Sequence, residues 1–261
     1  MNKRLIIIFV CIAVFVLTLV VGAVVFTVSD VNILLQSDEN IAFDKAKILE
    51  TGGIKKGQSV FTIDREQASE KIEKQFPKLK VIKIERVFPN KVRIHLDTRK
   101  AIFKMAIANT DSFAVLDREF KIIDIINDGS EVYGDDIVVP ITGYSYAGGE
   151  NPLGDFINND SPEVNSLKEI LLSLESFEVV NERVPATFES IKIIDNTIHI
   201  KSKLGITLVV RMGTNISAKL QCDGIYNVFY TMNGDDRQLP NYLYMNNNGD
   251  ISNSAKLEFD K

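Results

Sequence analysis

The chain has only two cysteines and two histidines among its 261 residues. Cys11 and Cys222 cannot supply the disulfide framework of a small secreted scaffold, so the fold must rest on a hydrophobic core. Cys222 sits in an apolar helical stretch with Ile225 and Phe229 and reads as part of that core. Neither His95 nor His199 has a cysteine or a second histidine at metal-ligand spacing. Both fall on the polar faces of alternating stretches and read as solvated sheet residues. No G-x-S-x-G elbow or S-x-x-K motif occurs, which leaves a serine nucleophile without supporting context. There is no tandem repeat. The chain also lacks a basic balance. Its net charge is −5, and −7 once the two cations Lys3 and Arg4 are set aside, which argues against nucleic acid or anionic lipid as the main partner.

Two local patterns imitate ligand sites. Gly52-Gly53-Ile54-Lys55-Lys56-Gly57 has the glycines of a phosphate loop, but it lacks the G-K-[ST] ending and follows a helical stretch instead of preceding one. It reads as a helix cap and a turn. Asp124, Asp128, Glu131, Asp135 and Asp136 form an acidic group, yet Ile126 occupies the third position of the calcium-loop frame. A solvated acidic loop is the expected reading. No cofactor and no metal site are expected.

What the chain does have is a run of 24 uncharged, mostly apolar residues, Leu5 to Val28, behind Lys3 and Arg4. At 1.5 Å per residue a helix of this length reaches about 36 Å, beyond the roughly 30 Å of a bilayer's hydrocarbon core. No acid occurs before Asp30, so the excess of positive charge predicts a cytoplasmic tail 1–4, a membrane helix 5–28 and an extracytoplasmic remainder. A cleaved signal peptide would have an apolar region of about 7–15 residues and a small-residue cleavage site. This run is longer and has no clear A-x-A.

Beyond the run, the balance of apolar and charged residues is that of an ordinary folded protein. Val31, Ile33 and Leu35 suggest a short strand. Asp44 can cap a helix, with Phe43 and Ile48 at staple spacing, and Gly52-Gly53 end it. Asp64 and Gln67 read as a capping box, and Ala68, Ile72 and Phe76 form the apolar stripe of a second helix stopped at Pro77. Two strands follow across the turn Pro89-Asn90. The first carries Ile82 and Ile84 on one face; the second alternates Val92, Ile94 and Leu96 against Lys91, Arg93, His95 and Asp97. The order β-α-α-β-β predicts an α+β unit with helices over one sheet face.

That order, with G-I-x-x-G-x-x-x-F-x-I-D at Gly53 to Asp64 and E-R-x-F-P-N-x-V-x-I-x-L at Glu85 to Leu96, resembles the POTRA domain of the bacterial FtsQ/DivIB family. The family's E-R-x-P-x-A element is represented at Thr98-Arg99-Lys100-Ala101-Ile102, where the arginine is kept and the acid and proline are gone. The resemblance implies a POTRA domain over 29–101 and a β domain over 102–261. Strand-like runs at 102–108, 112–117, 120–126, 188–194, 197–202 and 205–211, helices opening at Ser161-Pro162 and spanning about 216–231, and a final strand from Ser254 to Asp260 suit it. The first of those helices has Val164, Leu167, Leu171 and Leu174 as its apolar face. Asn233-Gly234 and Asn248-Gly249 read as turns. Phe120 stands where the family's L-D-x-x-G turn has glycine, and Val139-Pro140-Ile141-Thr142-Gly143 resembles its L-P-x-I-x-G element. The expected fold class is therefore α+β: a membrane helix, the POTRA unit, and a larger mixed domain with a mainly antiparallel sheet and two helices.

The resemblance also implies a non-enzymatic divisome protein at the septum. Its partners would be the bitopic proteins FtsL and FtsB/DivIC, and it would support control of septal peptidoglycan synthesis. A POTRA-type export component or an anchored cell-wall hydrolase are the alternatives. The expected partner site is the C-terminal strand region, Asn241 to Phe259, engaged by strand addition, with Tyr242, Leu243, Tyr244, Leu257 and Phe259 as its residues. Tyr242 and Tyr244 share a face if that run is extended, as do Leu257 and Phe259.

Overall fold

A computed structural model of the chain describes residues 3–37, 43–127, 138–149, 151–157, 161–177 and 180–259. The chain divides into two compact units, Met1–Arg99 and Lys100–Lys261.

The first unit begins with helix α1, Lys3–Val25. It is shorter at its C-terminal end than the 5–28 expected, because Val28 is 1% exposed in the core of the globular part that follows. Among the described residues, no helix is long and apolar enough to cross a membrane. Then come β1 (Asp30–Leu35), α2 (Lys45–Thr51), a 3-10 turn (Val60–Thr62), α3 (Arg65–Gln75), β2 (Leu79–Val87) and β3 (Lys91–Thr98). The sheet order is β1-β3-β2, with β1 parallel and β2 antiparallel to β3.

Local chemistry sets the helix ends. The Asp44 carboxylate accepts from the amides of Ala46 and Lys47 at the start of α2. Gly53, at φ +65°, turns the chain out of that helix. Asp64 accepts from the Gln67 amide at 3.1 Å. Only that arm of the capping box is seen, since the Gln67 side-chain oxygen accepts instead from Lys71. Ile48, Ile72, Ile94 and Leu96 are fully buried between helices and sheet.

Strand β2 departs from the alternation expected of it. Its register slips between Val81 and Lys83, a bulge that leaves Ile82 42% exposed while Leu79, Val81 and Ile84 face the core. The bulge has a visible anchor. The Val81 amide donates to Glu73 at 2.8 Å, and the other oxygen of Glu73 accepts from the Arg99 guanidinium at 2.7 Å. Arg99 is 8% exposed and also donates to the Leu79 carbonyl. The arginine that the motif keeps thus ties α3 to β2. On the opposite sheet face, Glu85 lies 3.3 Å from His95 and near Arg93 and Lys83. His95 is therefore a paired residue with a largely covered side chain, less solvated than its alternation suggests.

Among the described residues the second unit has nine strands: β4 (Phe103–Ile107), β5 (Ser112–Leu116), β6 (Ile122–Asn127), β7 (Val139–Tyr146), β8 (Phe188–Ile194), β9 (Thr197–Ser202), β10 (Thr207–Arg211), β11 (Tyr242–Met245) and β12 (Ile251–Ser254). They form one sheet in the order β12-β11-β10-β9-β8-β7-β4-β5-β6. Pairs β10·β11, β7·β8 and β4·β7 are parallel and the rest antiparallel. Helices α4 (Pro162–Phe177) and α6 (Ala218–Thr231) pack against each other and into the main core. Val164, Leu167, Leu171 and Leu174 are all buried there, with Cys222, Ile225 and Phe229 from α6.

Four features differ from expectation. Helix α5, Val180–Thr187, contains Pro185 and carried no recognised signal. Asn233-Gly234 is not a simple turn: Gly234–Arg237 forms the short helix α7, with Asn233 at its N-cap position. The last described strand is β12, Ile251–Ser254, and residues 255–259 are not a strand. Phe120 takes φ +59° although it is not glycine. Its ring is fully buried and stacks on Phe103 at 5.6 Å, so packing offsets the backbone cost at that turn. At Gly143, φ +80°, a Cβ would come within 1.9 Å of the Ile193 carbonyl oxygen, so only glycine lets β7 approach β8 there.

Candidate partner-binding edge

The C-terminal strands stand at one margin of the nine-stranded sheet. β10 supports β11 in parallel, with Thr207 opposite Tyr242 and Val209 opposite Tyr244. β12 runs back antiparallel to β11, pairing Tyr242 with Ser254 and Tyr244 with Ser252. The hairpin turn is built on Asn246, whose side-chain oxygen accepts from the amides of Asn248 and Asp250. Gly249 there takes φ +88°. The Asn246 amide donates to the Asp250 carbonyl at 2.9 Å. The alternation of an antiparallel ladder then turns the main-chain groups of Ile251 and Asn253 away from β11. They form an edge to which another strand could add.

Helix α6 packs beneath β10, β11 and β12. It comes close because of Gly224, where a Cβ would meet Met245 at 3.2 Å and Ile251 at 3.3 Å. Leu243 points to this side and is fully buried. Tyr242 and Tyr244 lie on the other face, as alternation requires. Tyr242 is half-buried, its ring edge-on to His199 at 6.2 Å. His199 also lies 3.0 Å from the Thr197 hydroxyl. Burial first, then the charge of Lys192, holds its imidazole below the ordinary histidine range.

Tyr244 is covered by this chain's own C-terminal segment. Its ring meets Phe259 edge-on at 5.2 Å, and its hydroxyl bonds to the main chain of Glu258. The Arg211 guanidinium lies 4.6 Å from the Phe259 ring centre and donates to Asn247 at 2.5 Å and to the Met245 carbonyl at 3.3 Å. Leu257 and Phe259 do not share a strand face, because the chain has left the sheet after Ser254. They are half-buried. Of the five expected residues, the structure brings Tyr244 and Phe259 together and sets Leu243 in the core. The edge strand, Ile251–Ser254, lies inside the expected region Asn241 to Phe259 but was not itself picked out as a strand, and Arg211 was not singled out. The Asn248-Gly249 turn was the available signal, since a strand on each side of it makes a hairpin.

Of the acidic group, Asp124 accepts from the Ile125 amide; Asp128, Glu131, Asp135 and Asp136 lie outside the described residues. Among the described residues no group of three or more histidine, cysteine, aspartate or glutamate side chains is placed to hold a metal ion.

A three-stranded sheet in the order β1-β3-β2 beneath two helices defines the first unit as a POTRA-type domain. Residues 28–99 match the family model described as POTRA domain, FtsQ-type, which supports placing the chain in the FtsQ/DivIB family and points to a cell division protein. No curated protein matches the chain.

Proposed function

We propose that this protein is a non-enzymatic assembly factor of the bacterial divisome. It is held in the cell membrane by α1, with its N-terminus cytoplasmic and both folded units outside, and works at the division septum. There it links bitopic proteins of the FtsL and FtsB/DivIC type and supports control of septal peptidoglycan synthesis. The observation that carries this reading is the FtsQ-type POTRA domain at residues 28–99. The anchor is supported by the exposed apolar side chains along α1, among them Phe9, Val10, Ile12, Val14 and Phe15.

The partner binds by strand addition at β12, beside Tyr242. Tyr244, Leu257 and Phe259 shape the adjoining face, and Leu243 holds β11 in place from the core. Strand addition needs the outward amide of Asn253, so the test is Asn253→Pro in the full chain. Proline is tolerated on an edge strand where the lost N–H faces outward. Binding of the FtsB/DivIC-type partner should weaken by on the order of ten-fold or more, since about 1.4 kcal/mol is ten-fold in affinity. The melting temperature should be unchanged. Undiminished binding by the folded variant would move the site away from β12.

A further inference from the structure

Three phenylalanines meet where α1 enters the POTRA unit. Phe26 follows the last helical residue directly. Its ring lies 5.2 Å from that of Phe61 and 6.2 Å from that of Phe88, and Phe61 and Phe88 are 5.7 Å apart. These are ordinary aromatic contact distances, but the cluster is not a core. Phe61 is 53% exposed and Phe88 59% exposed. A contiguous apolar patch of this kind marks an interaction surface more often than chance exposure.

The backbone fixes the patch to the helix. The amides of Phe26 and Thr27 still bond back to Gly22 and Val24, so the turn continues past Val25. The next residues are already held by the globular fold: Val60 donates to the Phe26 carbonyl, Val28 to Gln58, and Ser29 to Asn90, each at 2.8 to 2.9 Å. No flexible linker separates helix from domain. Arg86 braces the 3-10 turn that carries Phe61 by donating to the Phe61 and Ile63 carbonyls. Phe88 sits in the turn between β2 and β3, beside Asn90, which receives the Ser29 amide. Lys55 and Lys56 are exposed in the loop whose Gly57 amide bonds to Val28.

We infer that Phe26, Phe61 and Phe88 form a lipid-contact site that seats the POTRA unit on the outer surface of the bilayer. This rests on the proposed reading of α1 as a membrane anchor. With α1 across the bilayer, Phe26 falls at the boundary between acyl chains and headgroups. Rings rigidly joined to it fall at the same depth, where aromatic side chains and the apolar faces of interfacial segments reside. Lys55 and Lys56 then stand at headgroup level, where their ammonium groups meet lipid phosphates. The patch continues the apolar surface of α1, so the occupant is the same bilayer. The consequence is orientational: helix and patch together fix the tilt of the POTRA unit on the membrane.

The chain has no tryptophan, so each introduced indole is a unique probe. Full-length Phe61→Trp, Phe88→Trp and Val14→Trp variants would be reconstituted separately into phosphatidylcholine–phosphatidylglycerol vesicles, with and without brominated acyl chains. Indole emission from all three should be strongly quenched by the brominated lipid. Quenching at position 14 with none at 61 and 88 would overturn the lipid-contact site while leaving the anchor standing, and would assign the patch to a protein partner. No quenching at position 14 would overturn the anchor reading itself. Both patch substitutions exchange one exposed ring for another at different loops, so misfolding of one leaves the other to report.

Discussion

The Tyr244 hydroxyl donates to the Glu258 carbonyl and accepts from the Glu258 amide, both at 3.1 Å. One side chain of β11 thereby satisfies both main-chain groups of a residue that has left the sheet. With the Phe259 ring edge-on to Tyr244 and the Phe259 carbonyl accepting from Asn247, segment 255–259 is laid across the outer face instead of extending the β12 strand. The proposed edge and the covered face are thus adjacent but distinct surfaces.

Tyr244→Phe should release this segment without disturbing β11. The ring contact to Phe259 survives, while two hydrogen bonds worth on the order of 1 kcal/mol each are lost. Amide exchange at 257–259 should accelerate. The melting temperature of the Lys100–Lys261 unit should fall by a few degrees, about 2–4 °C per kcal/mol for a unit of this size. Unchanged exchange at those amides would show that the Glu258 contact does not hold the segment.

Ile94→Asp and Ile82→Asp should behave oppositely. Ile94 is fully buried in the POTRA core, and Ile82 is 42% exposed at the bulge. An unpaired buried carboxylate costs several kcal/mol against a total stability of about 5–15 kcal/mol, so Ile94→Asp should unfold the unit. Ile82→Asp should shift its melting temperature little. Circular dichroism melts of both variants decide it, and equal loss in the two would show that the strand pairs without a bulge.

Most of the POTRA unit was legible because its signals are local. Asp44, Gly53 and Asp64 act on the next few residues, and Val92, Ile94 and Leu96 alternate without interruption. Ile82 was misplaced because the bulge is set by Glu73 and Arg99, residues far from it in sequence. In the second unit, strand runs could be located but not ordered, since β4 pairs with β7 and β10 with β11 across long insertions. The last strand was expected at Ser254 to Asp260 and lies instead at Ile251–Ser254, for the same reason. Leu257 and Phe259 have strand-like spacing, yet Tyr244 and Arg211 draw that segment onto the sheet face.

Acid should weaken the second unit through His199. Its pKa is lowered by burial and then by Lys192, so the unfolded chain takes up the proton first. The stabilisation is complete above the unfolded value of about 6.5 and is lost as pH falls from there toward the lower folded value. The melting temperature of this unit should therefore drop between about pH 7 and pH 5, a window set by that ordinary imidazole pKa, and His199→Gln should flatten the drop. Glu85 acts in the first unit in a more acidic window. Its pKa is lowered first by the His95 hydrogen bond and then by Lys83. Its contribution is present above the unfolded value of about 4.3 and is lost below it. A drop near pH 6 that persists in His199→Gln would assign the acid sensitivity elsewhere.

Cys222 should be almost inert in the folded protein. It is fully buried, and burial pushes its thiol up to about 12, against a smaller opposing effect of its hydrogen bond with Ser173. An ordinary cysteine titrates near 8.5, so at mildly alkaline pH the reactive thiolate is scarcer by about three orders of magnitude. In a Cys11→Ser background, disulfide-exchange reagents should leave Cys222 unmodified until denaturant is added and then react at the rate of a free thiol. The same shift sets an alkaline limit on stability. The folded pKa lies above the unfolded one, so the neutral thiol's contribution is complete below about pH 8.5 and is lost as pH rises toward the folded value. Cys222→Ala should leave a small cavity but remove this alkaline dependence. Rapid modification of the native protein would mean that α6 opens from the sheet, and with it the support beneath β11 and β12.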